Sequence, residues 1–143
     1  MTVPARITLL TLGVADVARS TAFYEALGWR RSGASNDDVS FFHTAGPVLA
    51  VWGRTSLADD AAVPVAGDGF RGVAVAINME SPEVVDAALA AWVAAGGTVS
   101  KAPEHTDWGG YSGYVADPDG HLWEFAHNPG FPLRPDGTVE LPQ

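Results

Sequence analysis

The chain has 143 residues, 47% hydrophobic and 17% charged, a composition that buries a core in one domain spanning 1–143 and excludes a disordered chain or a two-domain enzyme. Eight Lys and Arg against 17 Asp and Glu give a formal charge of −9, which repels phosphate backbones and anionic bilayers, so neither nucleic acid nor a membrane is an expected partner. The lack of cysteine excludes disulfides, thiolate chemistry and iron–sulfur clusters; with apolar runs below the roughly 18 residues of a spanning helix and no basic N-terminal leader, the expected location is the cytoplasm.

Residues 7–14 (ITLLTLGV) mix β-branched and leucine side chains without charge and predict a first strand. Asp16 then stands as an N-cap, and Val17, Ser20, Tyr24 and Leu27 form a helical stripe stopped by Gly28. Three short runs, 29–33, 39–44 and 48–53, are separated by the turn-forming Asn36-Asp37-Asp38 and Ala45-Gly46-Pro47 and predict an antiparallel meander. Residues 54–70 lose periodicity and are expected to connect two halves over the surface, with one short helical turn near Ser56.

The second half repeats the order of the first. Residues 72–77 (GVAVAI) predict a strand, and Ser81-Pro82-Glu83 opens a helix with an N-cap, a proline at the first helical position and an acid at the positive helix end. Val85, Leu89, Trp92 and Val93 are its expected buried face, and Gly96-Gly97 ends it. Strands follow at 98–102, 111–116 and 122–127, the last two joined by the tight turn Asp117-Pro118-Asp119-Gly120. The fold class is therefore α+β, with βαβββ units at 6–53 and 71–127. Four prolines in the tail, 128–143, argue against regular structure there.

Val14-Ala15-Asp16 with Phe23-Tyr24-Glu25-Ala26-Leu27-Gly28-Trp29, and Asp117-Pro118-Asp119-Gly120-His121-Leu122-Trp123-Glu124-Phe125, make the chain resemble the vicinal oxygen chelate superfamily of glyoxalases, bleomycin-resistance proteins and extradiol dioxygenases. The resemblance implies that each βαβββ unit forms a cupped sheet, that paired cups enclose a cavity with helices outside, and that the chain is a homodimer. It also places metal ligands on the first and last strands of each unit. Here those positions fall on Leu9, on Ala50, on Gly72 or Ala74, and on Glu124, of which only Glu124 offers a donor. No metal and no other cofactor is expected.

Glu124 has two readings. In an apolar cavity its carboxylate would act as general base or ligand acceptor; alternatively it pairs internally with Arg71 or Thr11 and only stabilises the fold. His105, ahead of Trp108 at the expected cavity mouth, is a candidate for proton transfer, whereas His43, His121 and His127 read as ordinary surface or hydrogen-bonded histidines. Trp29, Trp92 and Trp123 read as core. Trp52 shares the strand parity of Ala50, and with Trp108 and Tyr111 it is expected to stack a flat ligand beside Leu9, Thr11 and Ala50. These features point to a metal-independent protein that sequesters a planar or hydrophobic small molecule, the bleomycin-resistance style of the superfamily. The alternative is a glyoxalase-like lyase, isomerase or dioxygenase using Glu124 as metal ligand or base.

Overall fold

In the computed structural model, which describes residue 3 and residues 5–143, Asp16 is extended and its carboxylate accepts a hydrogen bond from Arg19 N at 3.0 Å, as a helix cap does. Residues 1, 2 and 4, part of the expected domain span, lie outside this description. The chain divides into two compact units, Met1–Ala66 and Gly67–Gln143.

In the first unit, β1 (Leu9–Val14), α1 (Val17–Ala26), β2 (Val39–Phe42), β3 (Val48–Gly53) and α2 (Arg54–Ala61) follow in order. The sheet runs β1-β3-β2, with β1 parallel to β3 and β2 antiparallel to it. One face packs against α1: Phe42 and Val51 are fully buried, and Tyr24 of α1 lies 5.7 Å from the Phe42 ring. Of the expected helical stripe, Ser20 and Tyr24 are buried, joined by Thr21 and Phe23. Gly28, at φ 87°, turns the chain out of the helix in the left-handed region where a side chain would be strained.

Two expectations for this unit need correction. The strand at 29–33 is reduced to a single bridge, Arg31 to Phe42, flanked by Ser32 N to Phe41 O at 2.7 Å and His43 N to Arg30 O at 3.0 Å. The Ser32–Ser35 turn, closed by Ser35 N to Ser32 O at 3.1 Å, cuts the ladder short. The connection holds an eight-residue helix, α2, rather than one turn. Its sequence lacks an apolar stripe. It is fastened instead by Arg54, whose Nε and Nη2 donate to the Val65 carbonyl at 3.2 and 2.8 Å, and by packing on Gly13, where a Cβ would meet Arg54 Cα at 3.3 Å.

In the second unit, β4 (Ala74–Asn78), α3 (Pro82–Ala94), β5 (Thr98–His105), β6 (Tyr111–Ala116) and β7 (Leu122–His127) form a sheet of order β4-β7-β6-β5, with β4 parallel to β7. Both units thus set their first strand parallel beside their last, a shared pairing that goes with the repeated element order predicted from the sequence. Ser81 caps α3 through Val84 N at 3.2 Å. Val85 and Trp92 are fully buried, whereas Val93, expected on the same face, is 47% exposed. The Trp92 indole donates to Ala116 O at 2.8 Å and packs 5.7 Å from Trp123 and 5.3 Å from Phe125, so helix and sheet share an aromatic core.

Strand β4 starts two residues later than expected because Gly72 has φ 74°. Strand β5 runs three residues further, through Pro103, with register shifts that an edge strand tolerates. The tail is less irregular than its prolines suggest. Leu133 bridges Val139, Arg134 N reaches Thr138 O at 2.7 Å, and Gly137 turns at φ 88°. No helix among the described residues is long and apolar enough to cross a membrane.

Candidate functional site

Strand alternation on β7 sends Trp123, Phe125 and His127 toward α3 and Glu124 to the opposite face. His127 is tied into the fold, with Nδ1 3.0 Å from the Met79 carbonyl. Because a carbonyl can only accept, that nitrogen carries the proton. Glu124 is half-buried, flanked by Ala76 on β4 and Tyr114 on β6.

Tyr114 is the neighbour that matters chemically. The negative charge of Glu124, together with burial and hydrogen bonding to the same carboxylate, pushes the Tyr114 phenol above its ordinary value, while Lys101 pulls the other way. The result is a carboxylate acceptor beside a phenol held in its protonated, donating form. Glu124 makes no ion pair among the described residues; Arg71, one expected partner, is exposed, and Lys101 pairs with Glu104 at 3.1 Å. Tyr114 was missed by reading residue types alone. Its signal was the hairpin register: with Ala116 opposite Leu122, two residues further back along β6 places Tyr114 opposite Glu124.

The other candidates of this unit fall elsewhere. Tyr111 has the opposite parity from Tyr114 and lies on the α3 face, where its hydroxyl donates to Asp86 Oδ1 at 2.7 Å. That hydrogen bond, then burial and the charges of Asp86 and Glu83, raises its phenol as well. His105 is the last residue of β5 rather than a loop residue; it is exposed, and its ring lies 4.9 Å from that of Tyr111. His105 and Tyr111 are therefore brought together, but not with Glu124.

Trp108 stands at the β5–β6 turn, 52% exposed. A Cβ on Gly110 would come within 1.7 Å of its ring, so glycine is what lets the indole lie against the turn. Thr106 closes that turn, its Oγ1 accepting from Gly110 N at 3.1 Å and its backbone N donating to Gly110 O at 3.0 Å.

In the first unit the sheet face turned away from α1 carries Leu9, Thr11, Ala50 and Trp52, as strand parity predicts. Thr11 lies beside Ala50, and Gly13 beside Trp52. Phe41 opposite Ala50 and Val39 opposite Trp52 extend the face, two apolar residues that sequence reasoning did not single out. Leu9 is 47% exposed, Thr11 and Trp52 are half-buried, and Ala50 is buried. Helix α2 lies over the Gly13 end of this face.

The donor set does not fit the metal that the resemblance implies. Leu9 and Ala50 offer only carbon; Ala74 does too, and Gly72 lies ahead of β4 with no side chain. Glu124 alone is too few ligands for a hard divalent ion, and no three His, Asp or Glu side chains cluster among the described residues.

Residues 6–125 match the Glyoxalase/Bleomycin resistance protein/Dioxygenase superfamily. The fold superposes on a glyoxalase-related enzyme from Fulvimarina pelagi with TM-score 0.87 and 35% identity, covering 98% of this chain and 100% of that one. A glyoxalase/bleomycin resistance protein/dioxygenase from Nocardioides gives TM-score 0.72 and 27% identity over 89% of this chain and 85% of its own. A family enzyme from Burkholderia phytofirmans PsJN, at 17% identity and TM-score 0.77 over 86% and 98% of the two chains, shares the fold. The sequence has no match among curated proteins. Doubled β-α-β topology, the matched span and the 35% identical relative together place the chain in the glyoxalase/bleomycin resistance protein/dioxygenase superfamily.

Proposed function

We propose that the chain binds a planar or hydrophobic small molecule without metal, in the style of the bleomycin-resistance branch, and that Glu124 receives a cationic or hydrogen-bond-donating group of that ligand. The observation that carries this reading is a half-buried carboxylate with no ion pair among the described residues, set beside the protonated phenol of Tyr114. Apolar side chains at the other chelating positions favour binding over metal chemistry. Trp52, half-buried on the face of Thr11 and Ala50, and Trp108, exposed at its turn, supply the flat surfaces. Leu9 adds an exposed apolar side chain to the first of these faces. Tyr111 and His105 belong to the α3 side of their sheet, so Tyr114 takes the polar role first sought there.

The test is a fluorescence screen of flat heteroaromatic compounds, with affinities compared between the wild type, a Trp52→Phe/Trp108→Phe double variant and Glu124→Gln. Most of the tryptophan quenching should vanish in the double variant, and a cationic ligand should bind Glu124→Gln at least about tenfold more weakly, equivalent to ~1.4 kcal/mol. Absence of binding by any such compound refutes the reading. We also propose a homodimer, because the open strand edges suit pairing with a second copy. Light scattering should then give twice the 14.9 kDa chain mass.

A second reading is favoured by the same pair of residues. Glu124 and Tyr114 are a proton acceptor and a proton donor side by side, the composition of an acid–base site, and the Fulvimarina pelagi relative is described as an enzyme. Turnover of a small oxo-acid, thiol adduct or catechol, abolished in Glu124→Gln with substrate binding retained, would replace the binding-protein reading.

A further inference from the structure

An open cleft of about 660 Å³ lies outside the site described above, between α1 and the segment that leads into β2. Its floor is the exposed side of α1, where Ala18, Ala22 and Ala26 recur every fourth residue and leave room a larger side chain would fill. Arg31 lines it and is already held by two bonds. Nε donates to Ser40 Oγ at 3.0 Å and Nη2 to the Asn36 carbonyl at 2.9 Å.

A guanidinium has five N–H donors, so three remain: both of Nη1 and one of Nη2. Arg31 forms no ion pair among the described residues, although Glu25 and Asp37 line the same cleft. The end of its planar fork therefore matches a carboxylate from outside the chain.

The Thr21–Ser40 pair adds a further donor. Their oxygens lie 2.7 Å apart, with Ser40 fully buried and Thr21 8% exposed. Two hydroxyl protons are present and one bond joins the oxygens; Ser40 Oγ also accepts from Arg31. Whichever hydroxyl donates within the pair, the other proton has no acceptor among the described residues. A buried O–H left over beside a cleft is a costly group that an anionic oxygen would satisfy.

Glu25 and Asp37 set the rest of the specificity. Two carboxylates disfavour a simple anion and favour a ligand that also carries a positive charge. We infer that the cleft is a second small-molecule site, selective for a zwitterion of the amino-acid type: a carboxylate on Arg31 and the leftover hydroxyl, an ammonium toward Glu25 and Asp37, and an apolar group over the alanines of α1. A free amino acid and the termini of a short peptide share this chemistry.

Calorimetric titration of the full chain distinguishes the possibilities, using leucine, the dipeptide leucyl-leucine, 4-methylpentanoate (leucine without its ammonium) and 3-methylbutylamine (leucine without its carboxylate). One zwitterion should bind, and each single-charge analogue should bind at least about tenfold more weakly. The order of leucine and dipeptide identifies which source the cleft accepts. Arg31→Gln should lose at least about tenfold. Because that variant also gives up the bonds to Ser40 and Asn36, a second variant, Glu25→Gln/Asp37→Asn, changes only exposed side chains and should erase the preference for leucine over 4-methylpentanoate. Glu124→Gln should leave binding unchanged. Failure of both zwitterions to bind by about 10 mM overturns the inference. So does wild-type affinity for the zwitterion in Arg31→Gln, an undiminished preference for leucine over 4-methylpentanoate in the acidic-pair variant, or a loss in Glu124→Gln.

Discussion

Replacing Gly97 by alanine would test whether the aromatic core of the second unit is packed as described. A Cβ at Gly97 would stand 2.1 Å from Trp92 Nε1, 2.2 Å from Trp92 Cδ1 and 3.0 Å from the Ala116 carbonyl. Relieving the first contact to an ordinary separation of about 3.4 Å moves the indole by about 1.3 Å. That is enough to break its 2.8 Å bond to Ala116 O and press it on Trp123 and Phe125. A lost buried hydrogen bond of about 1 kcal/mol and an overpacking cost of about 1–3 kcal/mol give roughly 2–4 kcal/mol of destabilisation. In a chain of this size the Tm should fall by roughly 5–15 °C. Urea unfolding followed by tryptophan fluorescence measures the loss. A double-mutant cycle with Trp92→Phe, which removes the atom nearest the clash, should recover about 1 kcal/mol as coupling. Gly97 is outside the left-handed region, so backbone strain contributes nothing. Destabilisation below about 0.5 kcal/mol would refute the packing argument.

Ser20 is fully buried and its hydroxyl has no hydrogen-bond partner among the described residues, so Ser20→Ala should stabilise the chain by about 1 kcal/mol, read as a higher urea midpoint. Asp16→Ala and Ser81→Ala each remove a helix cap and should each cost about 1 kcal/mol, roughly additively in thermal unfolding of the double variant. The Tyr114 phenol is raised in the fold above the ordinary phenol value of about 10, so the stability it contributes is fully present below that pH and is lost as pH rises through the folded value. Urea midpoints measured upward from pH ~10 should therefore fall less steeply in Tyr114→Phe than in the wild type; identical slopes would count against the Glu124–Tyr114 interaction.

Local chemistry made most of the architecture legible. Asp16, Ser81-Pro82 and the glycines after α1 and α3 announce their roles because capping depends on a few adjacent atoms, and 111–116 and 122–127 alternate strongly enough to fix both ends of β6 and β7. Helix α2 was legible only as a turn because its attachment comes from Arg54 reaching Val65 and from the bare Cα of Gly13, neither of which leaves a periodic trace. The site was half legible. Parity alone grouped Thr11, Ala50 and Trp52 and separated Glu124 from Trp123. Tyr111 was grouped with Trp52 and Trp108 by its nearness to a glycine-rich turn, whereas register across the hairpin puts it opposite His127 and sets Tyr114 beside Glu124. The cleft beside α1 had no sequence signal, since it needs Arg31 and Ser40, nine residues apart, to meet Thr21 of the helix.

Strand β5 gives the second sheet a direction of growth. At one edge of that sheet, Pro103 lacks a donor, the register slips twice, and Lys101 and Glu104 set opposite charges along the exposed rim. An incoming strand would find neither an unbroken ladder nor an apolar surface there. The opposite edge, β4, runs Ala-Val-Ala-Ile-Asn with neither proline nor charge. Within its own sheet it is the side able to recruit further backbone. A single proline at Ala76 would close it too, leaving a sheet that can be extended by no neighbour at either end.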